Sequence, residues 1–111
     1  MTSILRIGGA VAVISLGAVA GALAQDRGAA VFTAQRCSLC HSLDGQGNAK
    51  GPLDGVGAKL SAEDIRKWIV TPADMAAAAK ATRKPAMRAF PNLPKDDLDA
   101  LVAFLAARKK A

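Results

Sequence analysis

The sequence predicts an all-α domain, and three observations point there. Hydrophobic residues make up 51% of the 111 positions, but Ala and Leu carry much of that content, and both favour helix. Val, Ile, Thr and Tyr, the residues strands prefer, form no runs after the first twenty positions. Two segments, opening at Ser61 and at Lys95, show acidic residues followed by apolar residues at helical spacing. The length allows one domain at most.

Taken in order, residues 1–24 read as an export leader. Arg6 is the lone charge ahead of an apolar stretch from Ile7 to Ala24, and the stretch ends in Ala22-Leu23-Ala24, the small-x-small pattern cut by signal peptidase. The mature chain is expected to start at Gln25 and to be a soluble periplasmic protein. The alternative is a retained membrane anchor, since the apolar stretch is close to the shortest that spans a bilayer. Residues 26–36 are expected to form a first helix with Asp26 as N-cap. Residues 42–60 hold Gly45, Gly47, Gly51, Gly55 and Gly57 with Pro52, a density that predicts loop. Ser61 should cap a second helix, with Glu63 and Asp64 in its first turn and Ile65, Trp68 and Ile69 on one face. Pro72 ends that helix or starts the next, over 73–81. Pro85, Pro91 and Pro94 then keep the chain extended. The last helix, 95–108, carries a stripe of Leu98, Leu101, Val102 and Leu105 between acidic and basic ends.

A mature chain this small buries only about 60–65% of its unfolded surface, so it needs a staple or a cofactor. Two cysteines decide which. Cys37-Ser38-Leu39-Cys40-His41 has the C-x-x-C-H spacing of c-type haem attachment. Two thiols a helical turn apart reach the two vinyl groups of one porphyrin, and the next residue brings an imidazole to the iron. His41 is the single histidine of the chain. A redox dithiol, half a zinc site and a plain disulfide are the alternatives. The first lacks a βαβ setting, the second lacks further ligands, and none accounts for the adjacent histidine.

With these residues the chain resembles the class I c-type cytochromes, specifically the short bacterial mono-haem ones. The resemblance covers residues 25–111: a helix with Gly28 and Phe32, C-S-L-C-H, Gly51-Pro52-Leu53, a Trp68 helix, a Met in a Pro-flanked loop, and an amphipathic last helix. It implies the cytochrome c fold, three to five helices wrapped around one covalently bound haem. Gly28 would let the first and last helices approach, and Phe32 would meet Leu101, Phe104 or Leu105. The Pro52 carbonyl would accept a hydrogen bond from the outer nitrogen of His41. Met87 would be the second axial ligand, with Met75 and an open iron as alternatives. Arg88 stands where the family usually has Pro after that Met, and Pro85 and Pro91 would stiffen the loop instead. Trp68 is either core or a partner of a haem propionate.

The expected function is electron transfer between redox proteins, a dehydrogenase or reductase on one side and an oxidase on the other, rather than enzymatic catalysis. Other readings are a dedicated haem subunit of a periplasmic dehydrogenase or oxidase complex, and an open-site haem protein that binds gas or catalyses. The net charge of +6 suggests partners with acidic docking patches facing Lys50, Lys59, Lys80, Arg83, Lys84, Arg88 and Lys95. No nucleic-acid motif is present.

Overall fold

The computed structural model describes residues 8–11 and 16–111; much of the expected leader, 1–24, lies outside the described residues. Among those described, the order is α1 (Leu16–Ala34), a 3₁₀ turn (Cys37–Leu39), β1 (Ser42–Leu43), β2 (Gln46–Gly47), α2 (Val56–Lys59), α3 (Ala62–Val70), α4 (Pro72–Ala79) and α5 (Lys95–Ala106). The helical fold class is as expected. The segment expected as pure loop is more ordered than its glycine content suggests. It holds the two-residue antiparallel pair β1–β2, with Ser42 opposite Gly47 and Leu43 opposite Gln46, and the single turn of α2.

The first helix differs from expectation. Asp26 does not cap it; it lies well inside α1. The preceding residues are mostly Ala, Leu and Val with no proline, so nothing stops the helix from extending toward the N-terminus. Its C-terminal half is the part that packs. Gly28, Val31 and Phe32 are buried, whereas Val19 and Leu23 remain exposed. The helix stops where Arg36 enters the left-handed region (φ 57°). That conformation ends the helix, as glycine does in most helices, and turns the chain toward Cys37.

The remaining helices follow their sequence signals. The Ser61 hydroxyl accepts the Asp64 N–H at 3.1 Å, which caps α3. Pro72 opens α4, where its missing N–H costs nothing. The last helix begins after Pro94, with Asp96 and Asp97 in its first turn. It ends at Ala106, two residues early, because Arg108 leaves the helix. Its guanidinium sits 4.6 Å from the centre of the Phe104 ring and donates to the Gln25 side chain at 2.9 Å.

The core joins the two ends of the chain. Val31 and Phe32 from α1 meet Leu101, Val102, Phe104 and Leu105 from α5, with Ile65 and Ile69 of α3 completing the cluster. The rings of Phe32 and Phe104 lie 6.0 Å apart at 59°, a tilted pairing that aromatic rings favour. Gly28 sits at the α1–α5 contact, where an added Cβ would collide with the Ala100 carbonyl and the Phe104 Cβ. The approach expected from Gly28 and Phe32 is therefore present.

Candidate haem site

The segment after Arg36 folds as one tight turn. The Cys40 N–H donates to the Cys37 carbonyl at 3.2 Å and the His41 N–H to the same carbonyl at 2.9 Å. Both thiols and the imidazole thus leave a single helical turn. Both cysteines are free thiols; Cys37 is half-buried and Cys40 exposed. Burial pushes the Cys37 thiol above its ordinary pKa, against the pull of its own backbone hydrogen bond and of the nearby Arg88 charge.

Three neighbours set this turn. The Asn48 N–H is shared between the Ser38 and His41 carbonyls, at 3.1 Å each, and its side-chain amide donates to the Leu39 carbonyl at 3.1 Å. Gly47, at φ 102°, packs where a Cβ would collide with the His41 carbonyl. Ser42, buried, donates its N–H to the Gly51 carbonyl at 3.1 Å and accepts the Leu53 N–H at 2.9 Å, a parallel bridge across Pro52.

That bridge corrects one expectation. The carbonyl bonded to His41 Nδ1 is that of Gly51, at 3.0 Å, and not that of Pro52. In a parallel bridge the residue opposite Ser42 turns its own N and C=O away, while the residues on either side supply the ladder bonds. Pro52 occupies that opposite place, and its lack of an N–H suits it. The Gly51 carbonyl serves both the Ser42 N–H and the ring of His41. Because Nδ1 donates there, Nε2 is left as the free ring nitrogen, the one that could ligate a metal. Burial pulls the His41 imidazole below its ordinary pKa; the Gly51 hydrogen bond opposes this and the Arg83 charge adds to it. The shift favours the neutral ring, the form in which an imidazole can ligate a metal.

The other expected residues fall in different places. Met87 is half-buried in the segment between α4 and α5 and packs against the same core cluster as Cys37. Met75 lies on α4 and is partly buried. Trp68 is partly buried on α3 but stands outside the cluster made by its neighbours Ile65 and Ile69.

Asn48 was not legible as part of the site, and Gly51 was read only within the Gly51-Pro52-Leu53 motif, not as the partner of His41. The Gly-Gln-Gly-Asn run announces a turn, yet only the folded chain shows which carbonyls Asn48 reaches. Arg83 was read as surface charge, whereas its guanidinium donates to the Cys40 carbonyl at 2.7 Å.

The donor set fits a covalently held haem: two unpaired thiols on one turn, an adjacent neutral imidazole with Nε2 free, and a half-buried thioether on the shared core. No curated protein and no solved structure matches the chain. The family model for cytochrome c matches residues 25–109, most of the sequence. The chain belongs to the cytochrome c family and is a haem c electron carrier.

Proposed function

We propose that this protein passes single electrons between larger redox proteins in the periplasm, with the haem iron held between His41 and Met87. The observation that carries the reading is the commitment of His41 Nδ1 to the Gly51 carbonyl, with Met87 half-buried against the core that Cys37 also touches. When bound, the haem supplies a one-electron couple at its iron.

The chain's residues do the rest. Cys37 and Cys40 fix the ring covalently, and His41 gives a basic, oriented nitrogen. A thioether from Met87 is soft and neutral, favours the ferrous state and raises the potential. Two strong protein ligands leave no position for substrate, which suits electron transfer over catalysis. Trp68 lies outside the core cluster, which supports reading its indole N–H as a donor to a haem propionate.

Spectroscopy of the purified protein tests this. A low-spin spectrum with a sulfur-to-iron absorption band is expected, and Met87→Ala should abolish the band while haem stays attached. A high-spin parent that takes up carbon monoxide readily would overturn the closed His/Met site. A band that survives in Met87→Ala and vanishes in Met75→Ala would move the ligand to α4. Export is tested by N-terminal sequencing of the periplasmic fraction, with Gln25 expected first. No helix among the described residues is long and apolar enough to cross a membrane.

A further inference from the structure

The segment that carries Met87 has little backbone support. Between α4 and α5 the chain has no helix or strand, and Pro85, Pro91 and Pro94 contribute no N–H. Among the described residues, one backbone hydrogen bond ties 82–93 to another element: the Phe90 N–H to the Ile69 carbonyl at 2.9 Å. Met87, Phe90 and Leu93 rest on the core, but apolar contact alone is non-directional.

Two arginines supply direction. Arg83, four residues before Met87, donates from Nη2 to the Cys40 carbonyl at 2.7 Å. Its guanidinium fills the space beside Gly51 where a Cβ would otherwise stand. Arg88, immediately after Met87, has its guanidinium carbon 4.8 Å from the centre of the Phe90 ring and reaches the Gln35 carbonyl at 3.5 Å. Cys40 lies in the turn that carries the thiols, and Gln35 lies just before Arg36, which leads into it. Met87 is thus bracketed by a short contact from Arg83 to the haem-attachment turn and a longer one from Arg88 to the residue that precedes Arg36.

We propose that Arg83 and Arg88 are positioning residues that clamp the Met87 segment onto the haem-attachment turn, holding both sides of the iron site as one unit. The clamp rests on the reading of Met87 as ligand only for its consequence, not for its contacts. It gives Arg88, at the family's usual proline position, a physical task. Proline stiffens a chain by restricting its own φ, whereas arginine stiffens this one by tying it to a neighbour.

The test uses the haem-loaded protein and the variants Arg83→Gln, Arg88→Gln and the double variant. Three readouts are followed: the sulfur-to-iron band on warming, the rate at which the ferrous protein captures carbon monoxide, and hydrogen exchange in residues 82–93, read at the Phe90 amide that bonds Ile69. A charged donor on a carbonyl at an exposed site implies carbon monoxide capture and exchange of 82–93 faster by about five- to tenfold in the double variant. The band should be lost at lower temperature, while exchange in α1 and α5 keeps its parent rate. Parent-like capture and parent-like exchange of 82–93 in the double variant would overturn the clamp, as would faster exchange spread equally over α1 and α5. If the parent itself lacks the band, the Met87 reading fails. Exchange of 82–93 then decides the clamp by itself.

Discussion

Gly51 shows how much one residue can be asked to do. Its carbonyl takes two donors, Ser42 N–H and His41 Nδ1, and its missing side chain leaves room for the Arg83 guanidinium and the Cys40 carbonyl. Gly51→Ala puts a methyl group where both atoms already stand, and Cys40's is backbone and cannot swing aside. Overpacking of this kind costs about 1–3 kcal/mol, measurable as a lowered midpoint in chemical denaturation. The same change should also weaken the sulfur-to-iron band, because displacing Arg83 loosens the Met87 segment. An alanine variant with parent stability and parent spectrum would show that the turn absorbs the methyl group by moving as a whole. At this scale the motif was fully legible and its supports were not. Covalent spacing is written in five consecutive residues. The partner of His41 depends on which carbonyl a bridge ten residues away turns inward, and that is a property of the folded backbone.

At the level of elements, the best-read helices are those whose ends carry their own signals. Ser61 and Pro72 mark α3 and α4 because a hydroxyl acceptor and a missing N–H act locally. Ser61→Ala should lower stability by about 1 kcal/mol, seen as a shift in the urea midpoint. The start of α1 was misread because Asp26 looks like a cap, but a cap works only where the preceding residues leave the helix. Here Ala22-Leu23-Ala24-Gln25 continue it. The α1–α5 contact through Gly28 and Phe32 was expected from the family resemblance and is present. Gly28→Ala should cost about 1–3 kcal/mol by forcing α1 away from Ala100 and Phe104, with a lower thermal midpoint and no change in haem attachment. The short β1–β2 pair left no sequence signal, because two-residue strands are too brief for a period of two to show.

Over the whole molecule, charge acts in two ways. Within the fold, Asp97 pairs with Arg27 of α1 at 2.7 Å. Asp99 receives both Arg66 of α3 at 2.6 Å and Lys95 at 2.7 Å. The hydrogen bonds from Lys95 and then Arg66 hold the Asp99 carboxyl below its ordinary value of 3.8. A depressed carboxylate contributes stability that is complete above its unfolded pKa and is lost as pH falls through its folded one. The protein should therefore lose stability in acid below about pH 4, and Asp99→Asn should flatten that loss while leaving the profile near neutrality level. Outside the fold, one of these pairs thins the expected docking patch. Lys95 is paired with Asp99, whose charge offsets its own, whereas Arg83 and Arg88 bond neutral carbonyls and keep their charge; they stay exposed with Lys50, Lys59, Lys80 and Lys84. If those side chains steer an acidic partner, electron-transfer rates should fall steeply with ionic strength; rates flat in salt would remove steering.

The pairing of α1 with α5 has a consequence in time as well as in space. Because the core joins opposite ends of the chain, α1 has no partner for Phe32 until Leu101 and Phe104 exist and are free to fold. A chain emerging N-terminus first, from a ribosome or through a membrane pore, presents Cys37 and Cys40 while that core is still absent. Contacts so distant in sequence close late. In such a chain neither thiol is covered by that core until the last helix folds, so their reaction with haem need not wait for it.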